Sequence, residues 1–196
     1  MAYKKILKSA GLIVVGLFVV LFVVRTVHFY NLDKTALQVE KIHNTKLTMD
    51  DVLGKNLPPD PGMDADKTIQ GADANKNGIR DDVELAIFKQ YPNSAKTRAV
   101  LLQYALVLQK ETTVSIINAD TATALGEEDS RAYDCIGTIV PKSNDDIQKI
   151  ESYRNWVNTK QLNTSERKNK KENLSHKVKS FKLQYGCDID YLNLSN

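Results

Sequence analysis

The sequence has few of the side chains that usually carry catalysis or hold a zinc ion. Its 196 residues include only two cysteines and three histidines. The two cysteines do not form a Cys-x-x-Cys pair, and no cysteine–histidine cluster has the ligand spacing of a zinc site. The sequence also lacks a Gly-x-Ser-x-Gly turn, a phosphate-binding glycine loop and a His-Glu-x-x-His helix. We therefore predict that the protein is not an enzyme and has no catalytic residues.

Alternating runs of β-branched residues, which predict strands, are scarce in the chain. Apolar residues recur instead at spacings of three, four and seven, and this pattern predicts amphipathic helices. We expect an all-α fold with an N-terminal transmembrane helix followed by an irregular helical bundle. The last helix is expected to end at Tyr185, because Gly186 suits a left-handed cap. The predicted bundle helices cover about 81–91, 94–117, 119–136, a segment capped by Ser143, and 165–185.

A single long apolar run lies near the N-terminus. Residues 9–24 carry no charged side chain, and Lys4, Lys5 and Lys8 precede them. The run approaches the length of about 17–25 residues that spans a bilayer. Its basic flank predicts that the N-terminus is cytoplasmic and the rest of the chain is extracytoplasmic. Because no small-x-small cleavage motif follows, we predict an uncleaved signal anchor rather than a cleaved signal peptide.

This membrane topology divides the chain into four predicted parts. The soluble domain is expected in the periplasm, attached to the inner membrane by the N-terminal helix. A proline-rich linker at 57–62 is expected to stiffen the connection to that domain. The parts are a cytoplasmic basic N-terminus at 1–8, a signal anchor at 9–27, a juxtamembrane region with the linker at 28–62, and a helical domain at 63–196.

The segment 73–84, DANKNGIRDDVE, has the ligand spacing of an EF-hand calcium loop. Ca²⁺ takes about 6–8 oxygen ligands, and alternate residues of such a loop direct their oxygens inward. Gly78 stands at position six, where the loop needs a residue that tolerates positive φ. The alternative is an ordinary turn followed by an acidic helix N-terminus. The predicted ligands are Asp73, Asn75, Asn77, the carbonyl of Ile79, Asp81 through water, and Glu84 as the bidentate ligand.

This loop resembles the EF-hand family, and more closely its unpaired, dockerin-like variants in exported bacterial proteins. The resemblance covers the loop and the helix after it, and it implies one bound Ca²⁺. Two features depart from the family pattern. Residues 54–71 contain three prolines and three glycines, so a long entering helix is not expected. Arg80 occupies position eight, where an aliphatic residue normally pairs with a sister loop, so a single structural ion is expected rather than a paired sensor.

The charge of the loop predicts weak calcium binding. Three carboxylates lie at the ligand positions, two asparagines replace acids at others, and Arg80 adds a positive charge nearby. Such a site is expected near a Kd of about 10⁻⁴–10⁻³ M, which is typical of extracellular modules. It would fill outside the cytoplasm and stay largely empty inside it.

Cys135 and Cys187 suit the same compartment. In an oxidising space an isolated cysteine pair usually forms a disulfide. Two separate buried thiols are the alternative. The disulfide is the prediction that agrees with an extracytoplasmic domain.

Residues 160–182 carry eight lysines and arginines against Glu166 and Glu172. This segment indicates either contact with an anionic lipid or envelope polymer, or an ordinary solvated helix face. Nucleic acid is not an expected partner for a domain outside the cytoplasm. A second functional hypothesis is therefore a non-enzymatic envelope interaction protein that uses this basic segment, with the ion incidental.

Overall fold

The computed structural model describes residues 2–142 and 145–195, and in those residues the fold is helical without strands. The predicted all-α class, with a long apolar N-terminal helix and a helical bundle, is confirmed. Within the described residues the α-helices are α1 (Ala2–Asn44), α2 (Met49–Leu53), α3 (Asp81–Gln90), α4 (Ala95–Thr113), α5 (Ala119–Thr138), α6 (Asp146–Gln161) and α7 (Ser165–Ser175), with a 3-10 helix at Gly62–Asp66.

Helix α1 is, among the described residues, the one helix long and apolar enough to cross a membrane. Its large apolar side chains from Leu12 to Val27 are between 53% and 73% exposed. A helix that is apolar on all faces must be covered by a large core or by lipid. The length and composition of α1 therefore agree with the predicted signal anchor.

The chain forms two compact units. The first unit ends at Glu40, and the second comprises Lys41–Asn196. The second unit thus includes residues 41–62, which were predicted to belong to the juxtamembrane region and linker at 28–62. Helix α2 lies in this part and packs against α4, and Thr48 caps it by accepting a hydrogen bond from the Asp51 N–H.

Helix α4 is the centre of the second unit and packs against α2, α3, α5, α6 and α7. Residues 98–112 are all buried, because α4 carries apolar residues on most of its circumference. Burial of each such leucine or valine side chain stabilises the folded state by about 1.5–3 kcal/mol. Ser94 caps the helix through the Thr97 N–H at 3.1 Å, as predicted. The helix ends at Thr113, four residues before the predicted end.

Helices α5 and α6 also begin close to their predicted positions. Asn118 caps α5 by accepting hydrogen bonds from the N–H groups of Asp120 and Thr121. Gly126 does not interrupt α5. The predicted cap of α6, Ser143, lies outside the described residues.

The predicted C-terminal helix is wrong beyond its first half. Helix α7 ends at Ser175, and residues 176–195, here named the C-terminal segment, form turns and irregular structure. The apolar residues whose spacing predicted a helix to Tyr185 pack against α5 instead. Val178 and Phe181 lie over Gly126 of that helix. Tertiary packing of this kind overrides the local pattern.

The predicted disulfide between Cys135 and Cys187 is present, with Cα atoms 5.0 Å apart. It ties the C-terminal segment to α5. Gly186 adopts a left-handed φ of 99°, so its predicted conformation is confirmed although it does not end a helix. Beyond the bond the segment stays on the core, against which Ile189, Tyr191 and Leu194 pack.

Candidate metal centre

The candidate loop, residues 73–84, runs directly into α3. Gly78 has a φ of 83°, as position six of the motif predicts. Lys76 also has a positive φ, 60°, which the sequence did not indicate. A non-glycine residue in this conformation costs roughly 1–2 kcal/mol. The loop therefore adopts a tightly wound backbone that ordinary residues avoid.

The Asp73 carboxylate organises the first half of the loop. One of its oxygens accepts the Asn77 N–H at 3.1 Å, and the other accepts the Gly78 N–H at 3.0 Å. The side-chain oxygen of Asn77 accepts the Ile79 N–H at 2.9 Å. Residues 73–79 are consequently wrapped around the carboxylate at the first ligand position.

Glu84, the last predicted ligand, reaches back to the loop. Its side chain is buried, and Oε2 accepts a hydrogen bond from Asn75 Nδ2 at 3.0 Å. Burial raises the pKa of Glu84 to about 7, while hydrogen bonds from Asn75 and Asn77 lower it and the charges of Asp51 and Asp81 raise it. A buried carboxylate that has no positively charged partner is stabilised in its ionised form when a cation binds beside it.

Asp81 occupies position nine and is also buried. Both of its carboxylate oxygens accept the Ala74 N–H at 3.0 Å, so it ties the start of α3 to the start of the loop. Burial raises the pKa of Asp81, the Ala74 hydrogen bond lowers it, and the charges of Asp73 and Asp82 raise it further. The three acids at predicted ligand positions are therefore held within one loop.

The donor chemistry fits Ca²⁺, but the side chains need a local rearrangement. In the part of the chain that the structure describes, no group of three or more His, Cys, Asp or Glu side chains is arranged to hold a metal. The predicted set instead combines carboxylates with amide oxygens and the carbonyl of Ile79, all hard oxygen ligands. Asn75 directs its nitrogen at Glu84. Turning its amide, a soft terminal torsion, presents the oxygen instead.

Asp51 is a neighbour of the loop that the motif did not indicate. Its Oδ1 lies 3.5 Å from Asn77 Nδ2, and its charge contributes to the raised pKa of Glu84. Asn75 also donates to the carbonyl of Asn56 at 2.9 Å. Helix α2 and the turn after it therefore contact the loop at Asn75 and Asn77.

Arg80, the departure at position eight, is fully buried. Its guanidinium binds both oxygens of Asp82 at 2.5 and 2.9 Å and lies 3.7 Å from Asp66. It also donates to the carbonyl of Gln161 at 3.1 Å. The positive charge of Arg80, which was expected to weaken calcium binding, is thus largely neutralised by these two carboxylates.

A second buried arginine, Arg167 of α7, holds the chain that leads into the loop. It donates to the carbonyls of Ala65, Thr68 and Ile69 at 2.8–3.0 Å. It also forms an ion pair with Asp66 at 2.5 Å, and hydrogen bonds from Arg167 lower the pKa of Asp66. As predicted, residues 54–71 contain no long α-helix, and Arg167 holds residues 65–69 of this stretch instead.

The basic segment 160–182 contributes less exposed charge than its composition indicated. Arg167 is buried, and Lys171 forms an ion pair with the buried Glu111 of α4. Lys179 lies 3.4 Å from Asp120. The exposed lysines that remain in this segment include Lys168 and Lys170.

Among the histidines, His43 lies between two acids of α5. Its Nδ1 is 2.9 Å from Glu128, and its Nε2 is 3.4 Å from Glu127. Lys46 and Arg131 also contact Glu128. This cluster attaches the C-terminal end of α1, which belongs to the second unit, to α5. The His43 imidazole therefore has a structural role.

Comparisons of the chain with protein-family models, with curated proteins and with solved structures found no match.

Proposed function

We propose that the protein is a membrane-anchored, extracytoplasmic helical protein that binds one Ca²⁺ through residues 73–84. The observation that carries this proposal is the contact across the loop between its third and twelfth positions. Asn75 donates to the buried Glu84 carboxylate at 3.0 Å, in a loop already wound around Asp73. Two predicted ligands that are nine residues apart in the chain are thus already in contact.

Each predicted ligand has a defined part in holding the ion. Asp73 and Glu84 supply carboxylate oxygens from the two ends of the loop. Asn75 and Asn77 supply amide oxygens, Ile79 supplies its carbonyl, and Asp81 acts through water. Ca²⁺ accepts such a mixed, flexible oxygen shell, whereas Mg²⁺ demands a smaller octahedral one and should compete poorly.

The proposed role of the ion is to order the joint between residues 54–71 and α3. Without a cation the acids of the loop repel one another, and burial opposes ionisation of Glu84. Ca²⁺ binding to the folded form alone stabilises by about 1.4 kcal/mol at ten times Kd.

Removal of the bidentate ligand tests the proposal. Thermal unfolding and calorimetric titration are measured on the full chain in a non-ionic detergent, with Ca²⁺ and with Mg²⁺. We expect Ca²⁺ to raise the melting temperature and Glu84→Gln to abolish that rise, because the amide removes one ligand oxygen and one charge. Since Gln relieves the burial of a charge, only the calcium-dependent difference is compared.

Glu166→Gln is the matched control, because it removes one exposed acid on α7. It should keep the full calcium response. An undiminished response in Glu84→Gln would refute the assigned ligand.

A second candidate function is contact with an anionic envelope surface, which the exposure of Lys168 and Lys170 favours. Each lysine near an anionic membrane contributes about 1 kcal/mol of attraction. The double charge reversal Lys168→Glu with Lys170→Glu should weaken co-sedimentation with phosphatidylglycerol vesicles and leave calcium binding intact. Reversal of the exposed Lys89 and Lys149 is the control, and equal losses in both variants would contradict a specific surface.

A further inference from the structure

The loop contains an asparagine that is followed by a glycine, Asn77–Gly78. Among the asparagines before residue 196, Asn77 alone precedes a glycine. The backbone nitrogen of the next residue can attack an asparagine side-chain amide and close a five-membered ring. Glycine has no Cβ to shield that nitrogen. Asn77 is therefore the asparagine of this chain whose side-chain amide is least protected from its own backbone.

The side-chain amide of Asn77 is held in an orientation that suits this attack. Its Oδ1 accepts the Ile79 N–H at 2.9 Å. Such a bond to the residue two positions on folds the side chain back over the peptide between them. The Asn77 Cγ is thus kept beside the Gly78 nitrogen. The Ile79 N–H also stabilises the negative charge that develops on Oδ1 when Cγ is attacked.

The attacking nitrogen has a carboxylate beside its proton. The Gly78 N–H donates to Asp73 Oδ2 at 3.0 Å. This oxygen can accept the proton that the nitrogen must lose as it forms the new bond. Asn77 and Gly78 are both half-buried rather than buried, so water reaches the ring for the hydrolysis that follows.

We propose that Asn77 is a site of spontaneous deamidation. The Gly78 nitrogen forms a bond to Asn77 Cγ, and its proton passes to Asp73 and then through water to Nδ2. The bond between Cγ and Nδ2 breaks, and ammonia leaves. Water then opens the cyclic imide. Cleavage between Cγ and nitrogen leaves an aspartate at position 77, whereas cleavage between the main-chain carbonyl carbon and nitrogen leaves an isoaspartate.

The reaction changes the charge of the loop at its fifth position. The neutral amide, whose Nδ2 lies 3.5 Å from Asp51 Oδ1, becomes a carboxylate. The number of charged ligands tunes the calcium affinity of such loops. An aspartate at this position therefore strengthens Ca²⁺ binding, an effect that rests on the proposed function. An isoaspartate lengthens the backbone by one methylene and displaces Gly78 from the sixth position.

Isotope incorporation tests the modification. The full chain in a non-ionic detergent is incubated in H₂¹⁸O without Ca²⁺, beside a synthetic peptide of residues 70–85. After return to ordinary water and digestion, mass spectrometry locates the ¹⁸O. We expect Asn77 of the folded chain to be labelled within about ten-fold of the rate in the peptide, or faster. Chromatography should separate the aspartate and isoaspartate products.

Asn75, which precedes Lys76 in the same loop, is the internal control and should stay unlabelled over the same time. The proposal is overturned if Asn77 is labelled more than about ten-fold more slowly in the folded chain than in the peptide. Equal labelling of Asn75 and Asn77 would also overturn it.

The effect on the ion is measured separately with Asn77→Asp, which reproduces the aspartate product. Calorimetry of the full chain should show Ca²⁺ binding about three- to ten-fold tighter than in wild type. An unchanged affinity would count against Asn77 as a calcium ligand. The isotope experiment, which contains no Ca²⁺, decides by itself whether the modification occurs.

Discussion

At the scale of single residues, Asp51 belongs to the surroundings of the loop although no motif includes it. Its Oδ2 accepts the Thr48 N–H at 2.8 Å and caps α2, while Oδ1 faces Asn77. The sequence separation of 26 residues hides this neighbour, because a motif of consecutive positions records only contacts within one loop. A charge so placed acts on a bound cation without touching it.

Asp51→Asn is expected to weaken Ca²⁺ binding about two- to five-fold, because it removes a half-buried negative charge beside Asn77 and Glu84. The effect should be smaller than that of Glu84→Gln and should shrink as salt is added. Calorimetry of the full chain at low and high NaCl measures both features. Asp50→Asn, an exposed neighbour paired with Lys55, is the control. A loss that does not respond to salt would indicate damage to α2 instead of electrostatics.

The predicted ligands illustrate what residue spacing can and cannot establish. Asp73, Asn77 and Gly78 contact one another within six positions, so their pattern alone indicates the wound loop. The orientation of the Asn75 amide depends on its hydrogen bond to the carbonyl of Asn56. The buried Arg80 donates to the carbonyl of Gln161, which is also distant in the chain. Those parts of the site become visible only when the helices are packed.

At the scale of helices, the starts are better predicted than the ends. Ser94 and Asn118 cap their helices through bonds that span two or three residues, and such local chemistry can be read from the sequence. The end of α7 depends on a contact with Gly126, which is about fifty residues away in the chain. Helical spacing therefore predicted residues 176–185 incorrectly.

A larger side chain at position 126 tests whether the C-terminal segment depends on its close approach to Gly126. A Cβ at Gly126 would lie 3.0 Å from Val178 and 3.2 Å from Phe181. Gly126→Leu should therefore displace the C-terminal segment, lower the free energy of unfolding by about 1–3 kcal/mol, and speed proteolysis within 176–186. The readouts are thermal unfolding and limited proteolysis with the disulfide intact.

Gly137→Ala on the same helix is the matched control. A Cβ there meets only Ile150 at 3.6 Å, an ordinary contact distance. The gain in helix propensity, about 1 kcal/mol, should leave the protein equally stable or more stable. If Gly126→Leu behaves in the same way, the segment does not depend on that close approach.

At the scale of the whole molecule, α1 and α4 show that a largely apolar helix can be either exposed on the protein or buried within it. Both helices carry long apolar stretches, yet α1 exposes its large apolar side chains from Leu12 to Val27, whereas α4 buries residues 98–112. Charge distinguishes them in the sequence, because residues 9–24 carry none, whereas α4 contains Lys110 and Glu111. Only a helix surrounded by other protein elements can provide partners for such groups.

Glu111 gives the molecule a predictable dependence of stability on pH. Burial raises its pKa to about 7, from 4.5, although Lys171 and Arg154 lower it and Asp129 raises it. Between these two values the folded chain keeps a proton that the unfolded chain has released. The free energy of unfolding therefore falls as the pH rises from about 4.5 to 7, and the destabilisation is complete above that window.

Glu111→Gln should flatten this dependence, because the variant has no carboxyl to titrate, and it should gain up to about 3 kcal/mol relative to wild type between pH 5 and pH 8. Urea unfolding of the full chain across that range measures the change. Glu166→Gln, an exposed acid on α7, should retain the slope of wild type. Lys171, whose side chain is 25% exposed, can turn to solvent once its partner is neutral. An unaltered slope in Glu111→Gln would mean that Lys171 keeps the buried carboxylate ionised throughout, so that another group causes the dependence.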